Sequence, residues 1–191
     1  MKNKVLMVVS ASALALAACG QRGSEAGNDG NVAVDNGVVA DNGMMAEEAS
    51  PNSAQGFANA AAASDRFEIE SSKLAATQGQ SAAVKSFAAK MITAHEESTA
   101  KLKATTIGLT PVVTPNDALS AAQQADLDGL KGKTGAEFDS AYAAAQVKAH
   151  QAALDALNGY AASGDTPALK DFAKGLVPTV TAHLNMAKGL K

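Results

Sequence analysis

Four long stretches of this chain carry apolar residues at alternating spacings of three and four, with glycines and prolines standing between them. That period puts one greasy stripe on each of four helices, and such stripes can be buried only against one another. The first stretch spans about Gln55 to Gln78, with Phe57, Ala60, Ser64, Phe67, Ser71 and Leu74 on one face and Gly79 as its stop. The second spans about Ser81 to Thr105 and has the cleanest stripe, Val84, Ala88, Met91, His95, Ser98 and Leu102. The third runs from about Gly135 to Ala162, aligning Asp139, Tyr142, Gln146, His150, Ala153, Leu157 and Tyr160 before Gly164. Thr166 is the expected cap of the fourth, with Pro167 in its first turn and Leu169, Phe172, Leu176, Val180, His183, Ala187 and Leu190 on its buried face. Pro178 lies inside that helix and is expected to kink it. The segment is rich in alanine and lacks tryptophan, which favours helix throughout.

The connections set the topology. Short turns join the first helix to the second and the third to the fourth, which predicts two antiparallel hairpins. Between the hairpins lies a link of about 30 residues holding Pro111 and Pro115 and a short helix expected from Asp117 to Lys131, capped by Asn116 or Asp117. So long a link can cross from one end of a bundle to the other. The expected fold is therefore all-α, a ferritin-like four-helix bundle with a helix on its crossover.

The residues before this domain read differently. Lys2 and Lys4 precede an apolar stretch from Val5 to Ala18, the layout of a signal peptide, and about 14 apolar residues fall short of the ~20 that span a bilayer. Leu16-Ala17-Ala18-Cys19 looks like a lipobox, which implies cleavage before Cys19 and acylation of its thiol. Cys19 is the only cysteine, so neither an intramolecular disulfide nor a cysteine metal site is expected. One acyl chain anchors weakly, and the multiple acylation that the resemblance to a lipobox implies would hold the chain firmly. Gly20 follows where an inner-membrane retention signal typically has Asp, pointing to the outer membrane facing the periplasm. Residues 19–51 are expected to be a disordered, acidic tether, since they offer no helical stripe and no aromatic residue. Asp35-Asn36-Gly37 and Asp41-Asn42-Gly43 read as turns within it. The helical domain is expected over residues 52–191. There acids and bases balance at 13 each, so no basic face invites nucleic acid.

Three histidines supply the chemistry. His95, His150 and His183 sit on three different helices, and with Glu68 they lie mid-helix, at levels that should agree within roughly 6 Å at 1.5 Å per residue. Imidazoles and a carboxylate at one level are how a bundle builds a metal site, and these donors suit iron, zinc or copper. The Glu-x-x-His pair of dinuclear bundles is missing, since Ile92 and Val180 occupy the positions it needs. A single ion on two or three histidines and one carboxylate is the form left open. The plainer reading makes each histidine a core residue satisfied by a neighbour, Gln146 for His150, Thr179 for His183 and Thr99 for His95. A pH-sensing role is a further alternative. Tyr142 and Tyr160 are expected to reach the bundle edge with their hydroxyls, Met91 and Met186 to fill the core, and Glu96, Glu97, Lys101 and Lys103 to face solvent. No nucleophile motif, phosphate loop or His-Glu-x-x-His signature supports a hydrolase or nucleotide enzyme.

In their order along the chain, Ser64-Asp65-Arg66-Phe67-Glu68-Ile69-Glu70-Ser71, Phe87-Ala88 with Met91 and His95, Phe138-Asp139-x-x-Tyr142 with Gln146 and His150, and Pro178 with His183 resemble one pattern. The chain is similar, over about Gln55 to Lys191, to the bacterial family called domain of unknown function 4142. That resemblance implies a ferritin-like fold in an outer-membrane or periplasmic protein and implies no activity. Ala94 stands where the family usually has an acidic residue before the histidine. The function expected first is non-enzymatic binding of a metal or a partner by an envelope lipoprotein. A ferritin-like oxidoreductase handling iron or peroxide and a purely structural envelope protein are the alternatives.

Overall fold

Small polar side chains mark where the helices begin. The computed structural model describes residues 49–190. They form α1 (Ala54–Gln78), α2 (Ala82–Ile107), α3 (Ala121–Lys131), α4 (Gly135–Ser163) and α5 (Pro167–Lys188). Ser53 Oγ accepts from Gly56 N and Ser81 Oγ from Val84 N, each taking up a backbone donor that the first turn leaves free. Cys19, the expected signal peptide and nearly all of the expected tether lie outside the described residues. Among the described residues no helix is long and apolar enough to cross a membrane.

α1 packs against α2 and α4, and α2 also meets α5, while α4 and α5 form the second hairpin. The crossover from α2 to α4 carries α3, which lies on α1 and α4. These neighbours give the ferritin-like arrangement, with α1 diagonal to α5 and α2 diagonal to α4. α5 runs continuously from Pro167 to Lys188 through Pro178.

Several local expectations are corrected. The crossover helix starts at Ala121 rather than Asp117, because Ser120 and Gln123 form a reciprocal capping box there. Asn116 instead turns the chain locally, its Oδ1 accepting from Ala118 N. Thr166 occupies the cap position of α5, but its hydroxyl donates to Asp165 Oδ1 and leaves the helix amides alone. Tyr142 is wholly buried, its hydroxyl 2.7 Å from Ser72 Oγ inside the bundle, whereas Tyr160 donates to Asp165 at the bundle end. Met91 is buried, but Met186 is 38% exposed.

Two apolar clusters fill the interior. One gathers Phe57, Leu102, Val113, Leu157, Tyr160, Leu169 and Ala173, with Phe57 and Tyr160 stacked at 4.0 Å between ring centroids. The other gathers Ala75, Val84, Phe87, Met91, Leu130, Phe138, Tyr142 and Ala187 toward the opposite end. Between them, from the middle turns of α1, α2 and α4 and the second-last turn of α5, come Asp65, Glu68, His95, Gln146, His150 and His183, all buried. A polar layer held between two apolar halves is costly to desolvate unless its groups find partners. Those partners decide what the layer is for.

Asp139, on the expected stripe of α4, belongs to the end of the bundle. Its Oδ1 accepts from Gln80 N at 3.0 Å and its Oδ2 from Ser81 N at 2.8 Å, so one carboxylate of α4 clamps the turn between α1 and α2. Gly79 lies beside it, where a Cβ would come within 3.2 Å of Asp139 Oδ1 and of Val84 Cγ1. Each charge-assisted bond contributes on the order of 1.5 kcal/mol or more. Asp139→Ala is therefore expected to lower unfolding stability by about 2–3 kcal/mol, read from the midpoint of urea unfolding, with metal binding unchanged. A loss under about 0.5 kcal/mol, the ordinary surface value, would show that the clamp is idle.

Candidate metal centre

The helical stripes bring the three histidines together. Ring centroids lie 5.7 Å apart for His95 and His150, 5.9 Å for His95 and His183, and 5.5 Å for His150 and His183. One ligand nitrogen from each ring lies within 4.8 Å of the other two. Bonds of about 2.0–2.1 Å to one tetrahedral ion would put such nitrogens roughly 3.4 Å apart, so the rings need draw in by only about an ångström.

Hydrogen bonds fix two of the rings. His95 Nδ1 lies 2.8 Å from Asp65 Oδ1, and His150 Nδ1 lies 2.9 Å from the carbonyl of Gln146. Carboxylate and carbonyl oxygens only accept, so both rings donate from Nδ1, which leaves Nε2 as the nitrogen free to take a metal. A histidine ligand is commonly oriented in this way, by a carboxylate or carbonyl on the nitrogen away from the metal. Thr99 Oγ1 donates to Asp65 Oδ2 at 3.1 Å and steadies that carboxylate.

The other nitrogens are without partners. His95 Nε2, His150 Nε2 and His183 Nδ1 are buried with no hydrogen bond. Of the neighbours expected to satisfy the rings, Gln146 serves His150 only at Nδ1, through its backbone carbonyl, while its amide donates to Ser71 Oγ at 3.1 Å; Thr99 bonds Asp65, and Thr179 makes no bond to His183. Buried polar atoms left unpaired cost about 1–3 kcal/mol each, so three aimed into one space ask for a common partner.

Glu68 stands beside this set. Its Oε1 is 3.5 Å from His150 Nδ1, on the protonated side of that ring, and neither carboxylate oxygen has a hydrogen-bond partner. The group of converging ligand atoms consists of the three histidines. Burial pushes the Glu68 carboxyl up to about 7, against the opposing pull of His95 and Gln146. Burial drives His150 and His183 down to about 4, which keeps both rings neutral at neutral pH. For His95 burial also opposes the charged ring, but the Asp65 hydrogen bond and the Glu68 and Asp65 charges prevail and raise it.

The Glu68 shift has a sign that can be checked. A folded-state value raised from 4.5 to about 7 favours folding fully below pH 4.5, a contribution lost as the pH rises through 7. Metal-free Glu68→Gln should therefore melt above the metal-free wild type at pH 8 and close to it at pH 4. Equal melting at both values would place the carboxylate in a wetter setting. His150 and His183, lowered from 6.5, act the other way, and their contribution is lost as the pH falls through about 4.

The expected stripe of α1 included Ser64 and missed Asp65, which is 4% exposed, whereas Ser64 is only partly buried and Ala60 is exposed. The buried face of α1 is turned by about one residue from the expected one and is wide, taking in the adjacent pairs Ala62-Ala63, Phe67-Glu68 and Ser71-Ser72, while Asp65 itself is held by His95 and Thr99 of α2. Asp65-x-x-Glu68, two acids three apart in an alanine-rich helix, is the signal that could have found it.

The family model described as a domain of unknown function, DUF4142, matches residues 40–190. No curated protein matches the chain. Among solved structures, the chain is similar to CopM in the Cu(II)-bound form, at 16% identity and a TM-score of 0.61, over 72% of this chain and 94% of that one. CopM in the Cu(I)-bound form matches at 16% identity and a TM-score of 0.59 over the same shares, 72% and 94%. CopM in the Ag-bound form matches at 15% and 0.57, over 72% of this chain and 93% of that one. At such identities the likeness is one of fold.

Proposed function

The chain belongs to the DUF4142 family, and we propose that its helical domain binds one copper ion on His95, His150 and His183, as a non-enzymatic metal-binding module of the cell envelope. The observation that carries this reading is the convergence of three buried, unpaired ring nitrogens. Neutral imidazole is a good donor to copper, zinc and iron, and copper(II) heads the affinity order among divalent ions of this row. The fold shared with CopM, in forms holding Cu(II), Cu(I) and Ag, supports copper over the other two. The missing Glu-x-x-His motifs speak against a dinuclear iron oxidase. Asp65, through His95, and the Gln146 carbonyl, through His150, act as positioning groups that hold the ligand nitrogens inward.

The envelope setting rests on the order of charge, apolar run and small residues before Cys19. Acylation there would tether the module to the outer membrane on its periplasmic side. Exposure of the full chain to copper, zinc and iron, followed by desalting and elemental analysis, tests the binding. About one equivalent of copper is expected, lost in His95→Ala, His150→Ala and His183→Ala alike. Absence of retained metal in the wild type would return the histidines to a structural role, and retained iron with peroxide consumption would make the protein an oxidoreductase.

A further inference from the structure

We propose that the metal centre keeps one coordination position open to a small anionic ligand, reached through a cavity between α2 and α5. The inference rests on the copper reading above and adds the class of ligand that such a site admits.

The cavity has a volume of about 50 Å³, against the roughly 10–15 Å³ that one water needs. His95 and His183 form part of its wall, while His150 and Glu68 do not. The rings follow the same gradient of exposure, His183 at 9%, His95 at 7% and His150 at 1%. An approach from outside therefore reaches the ion past His95 and His183, on the side where the third ring is not in the way.

The mouth is formed by short side chains. Ala94 and Ser98 of α2 are half-buried in the lining, and Thr179 of α5 is exposed there. The buried part of the wall is apolar, with Leu157 and Val180. A ligand of one to three heavy atoms fits a volume of about 50 Å³, and a phenyl-substituted ring does not.

Charge favours an anion. Three neutral imidazoles bring no charge of their own to a divalent ion, Asp65 offsets only part of it through His95, and three donors leave a fourth position of a four-coordinate site unfilled. Asp65 is the carboxylate of the lining, but its oxygens are engaged by His95 Nδ1 and Thr99 Oγ1. The cavity thus presents no uncommitted carboxylate, and Glu68 lies outside its lining, on the Nδ1 side of His150, so a ligand entering here comes from outside.

Azide is the probe, because its bond to copper(II) gives a new charge-transfer absorption. Titration of the copper-loaded full chain should raise that band saturably, at one azide per copper, with the copper retained after desalting. 4-Phenylimidazole, too wide for the cavity, should leave the copper spectrum unchanged. In Ala94→Leu, which narrows the mouth without touching a ligand, copper stays near one equivalent and azide affinity falls at least tenfold. The size comparison in the wild type stands if that variant fails to fold. A protein that holds no copper would overturn the copper reading itself. Copper held without an azide band, azide binding unaffected by Ala94→Leu, or a 4-phenylimidazole response equal to that of azide would each overturn the open position while leaving the copper reading intact.

Discussion

Leucine at position 150 is expected to abolish copper binding and, at the same time, to make the metal-free protein melt higher than the metal-free wild type. His150 is 1% exposed and its Nε2 has no partner, so without an ion the wild type carries a buried unpaired nitrogen that His150→Leu removes. Relief of that penalty is worth about 1–3 kcal/mol, or roughly 3–8 °C for a domain of this size. The bond lost with the ring is a cheap one. The Gln146 carbonyl lies one helical turn before residue 150 and keeps its backbone bond within α4. Affinity for copper should fall by more than about a hundredfold, beyond the 10- to 100-fold typical for groups that only support a ligand. Scanning calorimetry with and without chelator reads both effects. A metal-free variant that melts below the wild type would mean that some protein partner already satisfies the ring.

The second large effect is at Asp65. Asp65→Asn removes the anion that holds the His95 proton on Nδ1, and an amide turned the other way would offer that nitrogen a donor and invite the opposite tautomer. Copper affinity is expected to fall about 10- to 100-fold with the stoichiometry unchanged. Thr99→Val, which removes only the hydroxyl supporting Asp65, should cost less. Competition against a chelator of known affinity separates them. An Asp65→Asn protein with wild-type affinity would show that the carboxylate does nothing for the site.

Much of this was readable from residue spacing because most of the buried faces are regular. On α2 and α4 the stripes through His95 and His150 fall where the three-and-four alternation puts them, since each helix is buried mainly along one line. The meeting of three histidines at one level followed from counting residues out from short turns. α1 was misjudged by about one position, because it buries adjacent pairs such as Ala62-Ala63, Phe67-Glu68 and Ser71-Ser72, a face too wide for any single stripe to describe. That error hid Asp65. The start of α3 was missed for another reason: Asn116 and Ser120 are both good caps, and only the reciprocal bond with Gln123 separates them. Whether the ring nitrogens are satisfied lies beyond spacing altogether. Thr99, Gln146 and Thr179 are at the right separations to serve them, yet rotamers and competing acceptors turn the first to Asp65 and the Gln146 amide to Ser71.

What surrounds the bound ion decides whether the three histidines share one partner. X-ray absorption at the copper edge, on protein loaded with one equivalent, should give three nitrogens at roughly 2.0 Å with the outer-shell scattering of imidazole rings. A shell of oxygens alone, or one dominated by sulfur, would place the copper elsewhere on the chain and leave the three histidines without their common partner.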